Sequence, residues 1–184
     1  MLTDDQKKIL LRIARQTIEN YIKTNRISSV HTDDPAFMQK GGAFVTLHRH
    51  GQLRGCIGMI EALKPLYETV IEMAVESATG DPRFNPLQES ELKEIEIEIS
   101  ALSPKKRVSS IDEIEMGKHG VIVRRGGRSG VFLPQVAIET GWSKEEFMRN
   151  LCAGKAGLHP EAYKDKNTEI YIFEAEVFGE KDFK

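Results

Sequence analysis

The pattern of apolar and polar positions changes its period several times along the chain. Near the amino terminus, apolar side chains recur every three or four residues, which is the spacing of one face of a helix. Thr3 and Gln6 have the spacing of a capping box, so we predict a helix that begins there and runs to about Lys23. The same period predicts a second helix over 66–79.

Alternation of apolar and polar residues predicts strands elsewhere, most clearly in IEIEISAL at 95–102. Two hairpins are predicted from paired strands around turn residues, one over 43–60 and one over 121–134. A last strand over 170–178 should place Tyr171, Phe173, Ala175 and Val177 on its apolar face.

A further capping box, Ser143 with Glu146, predicts a helix that continues to about Ala153. Strands joined by hairpins, with helices elsewhere, favour an α+β fold of mostly antiparallel sheets with flanking helices. A parallel sheet would need a crossover between each pair of strands, and the order of elements supplies too few.

Charge and composition narrow the class of protein. The chain has 184 residues, a net charge of −2 and two cysteines. That charge argues against a general nucleic-acid coat, and two cysteines do not make a disulfide framework. No apolar run reaches membrane-spanning length, and the first residues lack the apolar core of a signal peptide. We expect a cytoplasmic protein that needs no membrane and no metal staple.

The segment LRGCIG, within the first hairpin, is the main candidate for chemistry. Cys56 is a candidate nucleophile or redox thiol, with Arg54 nearby to hold it as the thiolate. Gly55 and Gly58 lack side chains, which would let a ligand approach the backbone. The alternative is that Cys56 is a small buried hydrophobic residue.

The register of the first hairpin decides which side chains accompany this cysteine. With a two-residue turn, Cys56 and Arg54 lie on the same face of the sheet as Val45, whereas His48 and His50 point the other way. A three-residue loop would reverse that arrangement. We therefore do not pair the thiol with the nearest histidines.

The loop DPRF places an acid and a base between a helix end and a proline-rich segment. Asp81 is a candidate acid or base and Arg83 a candidate substrate clamp, because such loops often position polar groups at a cleft. The alternative is an Asp–Arg clasp that only organises the turn.

Other charged segments carry weaker predictions. His48 and His50 have no third ligand nearby, so we expect no metal and no cofactor. The sequence around Lys155 lacks the glycine spacing of a phosphate loop, although this lysine can still face an anion. The three arginines of the second predicted hairpin are interpreted as a solvated loop, and the net charge counts against RNA contact.

Five segments in this order resemble the AMME chromosomal region (AMMECR) protein family over nearly the whole chain: LRGCIG, DPRF, HGV, FLPQVA and KAGL. The resemblance implies an α+β fold of two unequal lobes with a cleft between them, lined by LRGCIG and DPRF. We accordingly expect residues 1–184 to form a single domain of this type.

The family has no settled activity, so two functions remain open. One is a cytosolic enzyme with a small anionic substrate, in a pathway with the Memo-like and radical-SAM proteins with which bacterial and archaeal members are associated. The other is a non-catalytic binding or regulatory module that recognises a peptide, nucleotide or modified base in the same cleft. The catalytic candidates are Cys56, Asp81 and His119. The substrate-binding candidates are Arg54, Gly55, Gly58, Arg83, Gln135 and Lys155.

Overall fold

The computed structural model describes residues 1–27 and 29–183. The chain divides into two compact units, Met1–Leu102 with Glu176–Lys184, and Ser103–Ala175. The described strand pairs are antiparallel and helices accompany them, so the fold is α+β, as predicted. Within the described residues, none of the helices combines the length and the apolar character that a membrane-crossing segment requires.

The first unit consists of helices packed on an antiparallel sheet. Its elements are α1 (Asp4–Thr24), α2 (Pro35–Met38), β1 (Ala43–Arg49), β2 (Gln52–Met59), α3 (Leu66–Thr79), β3 (Ile95–Leu102) and the 3-10 turns Glu89–Glu91 and Glu180–Phe183. The strand order β2-β1-β3 leaves β2 at the edge of the sheet. The predicted capping box of α1 is present, and α1, α3, β1 and β3 have their predicted bounds to within one residue. The sequence pattern did not predict the short helix α2.

The core of this unit lies between α1, α3 and one face of the sheet. Alternate residues of β1 and β3 are buried against the helices, including Val45, Leu47 and Ile97, each no more than 1% exposed. Complete burial of such a side chain contributes about 1.5–3 kcal/mol. The helices therefore cover the Val45 face and leave the opposite face of the sheet more open.

The second unit has its own sheet and core. Its elements are β4 (Lys106–Val108), the 3-10 turn Ile111–Glu113, β5 (His119–Arg125), β6 (Arg128–Phe132), α4 (Pro134–Thr140), α5 (Lys144–Asn150), the π-helix Leu151–Lys155, the 3-10 helix Pro160–Lys164 and most of β7 (Glu169–Gly179). Within this unit β7 pairs with β4 and β5, and β5 pairs with β6. The structure adds β4 and α4 to the predicted elements, and the predicted helix from Ser143 changes to a π-helix at Leu151.

The prediction for the apolar face of β7 is correct only in part. Phe173, on the predicted face, is buried and 3% exposed. Ile170 and Ile172 are buried in the core of the second unit, whereas Tyr171 is only half-buried and Val177 is 42% exposed. Both faces of this strand carry large apolar residues, so the alternation alone does not say which face is covered. Packing of the helical segment around Phe147 against the sheet decides it.

Candidate functional site

The first hairpin closes through the two residues His50 and Gly51. Both have positive φ, 52° and 77°, which is the conformation of a type I′ turn. Arg49 pairs with Gln52 across it. Of the two cases left open by the sequence, the turn is therefore the one with two residues.

A bulge interrupts the pairing just beyond this turn. His48 pairs with Leu53, but Leu47 pairs with Gly55, so Arg54 is an extra residue with no partner in the ladder. One extra residue exchanges the two faces for everything that follows it on the strand.

The bulge turns Cys56 to the face opposite to the predicted one. Cys56 pairs with Thr46, whose neighbours Val45 and Leu47 point into the core, and the Thr46 Oγ1 hydroxyl donates to Cys56 Sγ at 3.2 Å. The prediction that Cys56 shares the Val45 face is wrong, and so is its separation from His48. The sulfur-bearing residue is partly exposed, which does not fit the buried-hydrophobe alternative.

Three strands contribute to the open face around the thiol. Thr46 pairs with Glu98 of β3 as well as with Cys56, so the three side chains form a row across the sheet. His48 lies one side-chain position along β1, with its Nε2 atom 4.0 Å from Glu98 Oε1. We call Cys56, Thr46, His48 and Glu98 the thiol face. Sequence reasoning missed His48 and Glu98 because it placed no bulge, although glycine inside a strand is a known signal of one.

The DPRF loop is fastened to the backbone of Cys56. Asp81 Oδ2 accepts the Cys56 N–H at 2.8 Å, and Arg83 Nη2 donates to the Cys56 carbonyl at 3.3 Å. Arg83 is also bound to Asp81 through Nε at 2.9 Å and Nη2 at 2.6 Å. The clasp alternative is therefore the observed one, and it covers part of an edge strand that would otherwise present free backbone groups.

The electrostatics of this clasp bear on the role of Asp81. Its side chain is 3% exposed, and the hydrogen bond from Arg83 holds the pKa of the carboxyl well below its usual range, although burial acts in the opposite direction. The carboxylate stays ionised and its oxygens are occupied by donors. We therefore assign Asp81 to fastening the loop, and the predicted acid–base role does not fit its surroundings.

Arg54 binds a carboxylate rather than the thiol. Its Nε and Nη2 atoms donate to the two oxygens of Glu91 at 2.8 and 2.9 Å, and this contact is the main reason that the pKa of Glu91 is lowered to about 2. Among the described contacts, the guanidinium of Arg54 thus binds Glu91, and the predicted contact with the Cys56 thiol is not the one observed. The ring of Phe84 stands near both guanidinium groups, 5.9 Å from Arg54 Cζ and 5.5 Å from Arg83 Cζ.

The two glycines of LRGCIG make room for the protein's own atoms. A Cβ atom on Gly55 would lie 2.1 Å from the carbonyl oxygen of Ser77 in α3. A Cβ atom on Gly58 would lie 2.1 Å from the ring of Phe44. The interpretation that these missing side chains leave open space for a ligand is wrong.

The remaining predicted site residues belong to the second unit. His119 begins β5, and its Nδ1 atom accepts the Glu115 N–H at 3.0 Å. The Oε1 atom of Gln135 is buried and has no hydrogen-bond partner among the described residues. Lys155 is exposed at the end of the π-helix, with Nζ 6.0 Å from the centre of the Phe132 ring. Of the predicted residues, the first unit thus brings Cys56 together with the loop at 81–84.

The second cysteine has a different environment. Cys152 lies in the π-helix, is 0% exposed, and belongs to the core of the second unit. Burial raises the pKa of its thiol. A buried thiol of this kind is inert, so Cys56 is the cysteine with access to a reagent.

Comparison with known proteins places the chain in a family. The AMMECR1 family model matches residues 11–178. A protein of Methanopyrus kandleri is 43% identical over 98% of this chain and 91% of its own length, and one of Methanothermobacter thermautotrophicus is 44% identical over 97% and 96%. The crystal structure of an uncharacterized protein from Pyrococcus horikoshii, 39% identical, aligns with a TM-score of 0.87 over 98% of this chain and 94% of that one. By sequence and by fold, the chain belongs to the AMMECR1 family.

Proposed function

We propose that this protein is a cytosolic enzyme that acts on a small anionic molecule and uses Cys56 as its nucleophile or redox thiol. The observation that carries the proposal is the hydrogen bond of 3.2 Å from Thr46 Oγ1 to the Sγ atom of a partly exposed cysteine. A hydroxyl donor stabilises negative charge on the atom that accepts from it, and partial exposure gives a substrate access to the sulfur.

His48 is the candidate proton acceptor that the arrangement of the thiol face supports. It stands on the same face as Cys56, and its Nε2 atom lies 4.0 Å from Glu98 Oε1, whose carboxylate faces that side of the ring. Diagonal positions on neighbouring strands are about 7–8 Å apart, a separation that long side chains or a bridging water can close. His119 belongs to the second unit and stays a prediction as an acid or base.

Arg83 supplies the positive charge for an anionic substrate. Its side chain is 54% exposed, and Nε and Nη2 are the nitrogens that bind Asp81. A guanidinium has five N–H donors, so this contact does not exhaust it. The pathway with Memo-like and radical-SAM proteins remains part of the proposal through the family resemblance.

A thermal-shift panel of phosphates, nucleotides and carboxylates tests the proposal. A ligand at about 100 times its dissociation constant adds roughly 2.7 kcal/mol, which raises the Tm by several degrees. Arg83→Ala should remove most of this shift. Arg128→Ala is the matched control, since that exposed arginine belongs to the second unit and donates to the Gly157 carbonyl.

Conversion of any ligand found is then followed by mass spectrometry in the wild type and in Cys56→Ser. We expect the variant to bind and not to convert. Equal conversion by both proteins would rule out cysteine catalysis, and a panel without any shift would rule out the anion site. Binding without conversion by either protein would favour the alternative function, a binding or regulatory module.

A further inference from the structure

The second unit contains a cavity away from the residues used so far. Its volume is about 570 Å³, within the range of sites that take small molecules. It lies beside β4, the 3-10 helix Pro160–Lys164 and the loop that leads into β7. The polar and charged residues that line it include Arg107, Ser109, Glu113, Asp165, Lys166 and Thr168.

Two buried hydroxyls at this cavity, those of Tyr163 and Thr168, have no hydrogen-bond partner among the residues that the structure describes. Thr168 is 8% exposed, and its backbone N–H donates to the Asp165 carbonyl at 3.0 Å. Its Oγ1 atom has no hydrogen-bond partner within the described part of the chain. Leaving a buried hydroxyl unpaired costs about 1–3 kcal/mol, so a group from outside the chain is needed to satisfy it.

The carboxylates at the cavity are already occupied. Glu113 accepts from the Ser109 N–H at 3.0 Å, and Asp165 accepts from the Asn167 N–H at 2.9 Å. Asp165 also forms an ion pair with Arg125 at 2.9 Å. These backbone hydrogen bonds are the main reason that the pKa values of both carboxyls are lowered. Each acid thus has a basic partner within the protein, Lys106 for Glu113 and Arg125 for Asp165, which offsets its negative charge beside the cavity.

The cations at the cavity have capacity left. Lys166 is exposed and forms no ion pair with any residue in the described ranges. Arg107 has a side chain 61% exposed, with one contact to Glu169 at 3.3 Å. The unsatisfied groups described around the cavity thus include two hydroxyls, an ammonium and part of a guanidinium, all of which donate hydrogen bonds to oxygen.

We propose that this cavity binds a small molecule through a phosphate group. Thr168 donates its hydroxyl to one phosphate oxygen, and Arg107 and Lys166 bind the others. Three acceptor oxygens match three separate donors, which a carboxylate with two oxygens does not. This site lies within the second unit and is independent of the thiol face.

Isothermal titration with inorganic phosphate and with glycerol 2-phosphate tests the site, against sodium chloride at the same ionic strength. We expect saturable binding that is about tenfold weaker in Thr168→Val, the loss of one hydrogen bond to a charged group. Lys166→Ala, at an exposed position that does not affect folding, should weaken binding to a similar extent. Arg128→Ala removes an exposed arginine of the same unit that does not line the cavity, and this variant should bind phosphate like the wild type.

The stability of the ligand-free variants provides a second readout. Thr168→Val should keep the Tm or raise it, because the hydroxyl that it removes has no internal partner. Thr69→Val is the matched control and should lower the Tm, since the Thr69 hydroxyl donates to the Gly41 carbonyl at 2.9 Å. Absence of saturable phosphate binding, unchanged affinity in both cavity variants, or a Tm loss in Thr168→Val as large as in Thr69→Val would each overturn the proposal.

Discussion

Comparison of the two hairpins shows how one extra residue changes which side chains lie on each face of a strand. The hairpin β5–β6 turns at Gly126 and Gly127 and keeps an uninterrupted register from Val121 opposite Phe132 to Arg125 opposite Arg128. Its side chains lie where simple alternation puts them. The hairpin β1–β2 has an equally tight turn, but the extra residue at Arg54 reverses the faces beyond it.

The outer strands of the two hairpins, β2 and β6, both have a glycine in close contact with a helix, but they differ in how their outer edges are covered. Each has a glycine pressed against helical backbone: a Cβ on Gly55 would lie 2.1 Å from Ser77 O, and one on Gly130 would lie 2.6 Å from Ala156 N. The strand β2 has in addition the loop at 81–84 bound to its outer backbone groups. The bulge determines the face on which the Cys56 thiol lies, and the hydrogen bonds from the loop at 81–84 fix the backbone of Cys56 in that arrangement.

The largest expected effect follows from removing the clasp. Asp81→Ala should lower the free energy of unfolding by about 4 kcal/mol, because it removes the hydrogen bonds that the buried carboxylate accepts from the Cys56 N–H and from Arg83. Urea unfolding measures the loss. The control is Asp165→Ala near the second hairpin, whose ion pair with Arg125 is more than a third exposed on both sides and should contribute about 1 kcal/mol or less. Equal losses would contradict the distinction between the hairpins.

Gly55→Ala should cost about 3 kcal/mol. Its new methyl group meets the Ser77 carbonyl of α3, so the strand or the helix must shift. Gly127→Ala, at the tip of the second hairpin, has nothing within 4 Å and should change stability by no more than about 0.5 kcal/mol. Thermal and urea unfolding of the two variants measure both changes in stability. A harmless Gly55→Ala would mean that packing on α3 does not position the bulge.

Low pH should reduce the stability that Glu91 and Asp81 give to the first hairpin. The folded-state pKa of Glu91 is lowered to about 2, and that of Asp81 is also lowered. Their contribution is therefore complete above the ordinary carboxyl pKa of about 4.5 and is lost as the pH falls towards 2. Glu91→Gln should cost about 2 kcal/mol at pH 7 and should show a shallower loss of Tm between pH 5 and about pH 2.5. Parallel Tm curves for the wild type and the variant would contradict this assignment.

The smallest expected effect concerns the two thiols. Iodoacetamide should label Cys56 at least about tenfold faster than Cys152 in the folded protein, because the first is partly exposed and the second is buried with a raised pKa. Peptide mapping by mass spectrometry gives both rates. Thr46→Val should slow labelling of Cys56 and leave that of Cys152 unchanged. Faster labelling of Cys152 would contradict the face assigned to Cys56.

Local patterns were sufficient for the regular elements. The capping box at Thr3, the helical period that continues to Thr79 and the alternation of Ile95–Leu102 predicted three elements at nearly their observed bounds. Turn residues predicted both hairpins. These signals succeed because capping, period and turn conformation depend on residues that are neighbours in the chain.

The short strand β4 and the buried face of β7 were beyond such patterns. Three residues are too few to show alternation, and β7 is apolar on both faces, so its partners determine which face is buried. The Asp81–Arg83 pair was anticipated within its loop. Its attachment to Cys56, 25 residues earlier, depends on how the loop meets the sheet.

The sequence by itself determined that a thiol, an arginine and an acidic loop accompany one another in this protein, and that its fold is α+β. Only the tertiary structure decided which face of β2 carries Cys56. That face depends on a single extra residue, and the extra residue is accommodated because Gly55 packs directly on the backbone of α3 at Ser77. A side chain's face in a strand reverses with every residue, so a contact that is distant in sequence outweighs the local pattern.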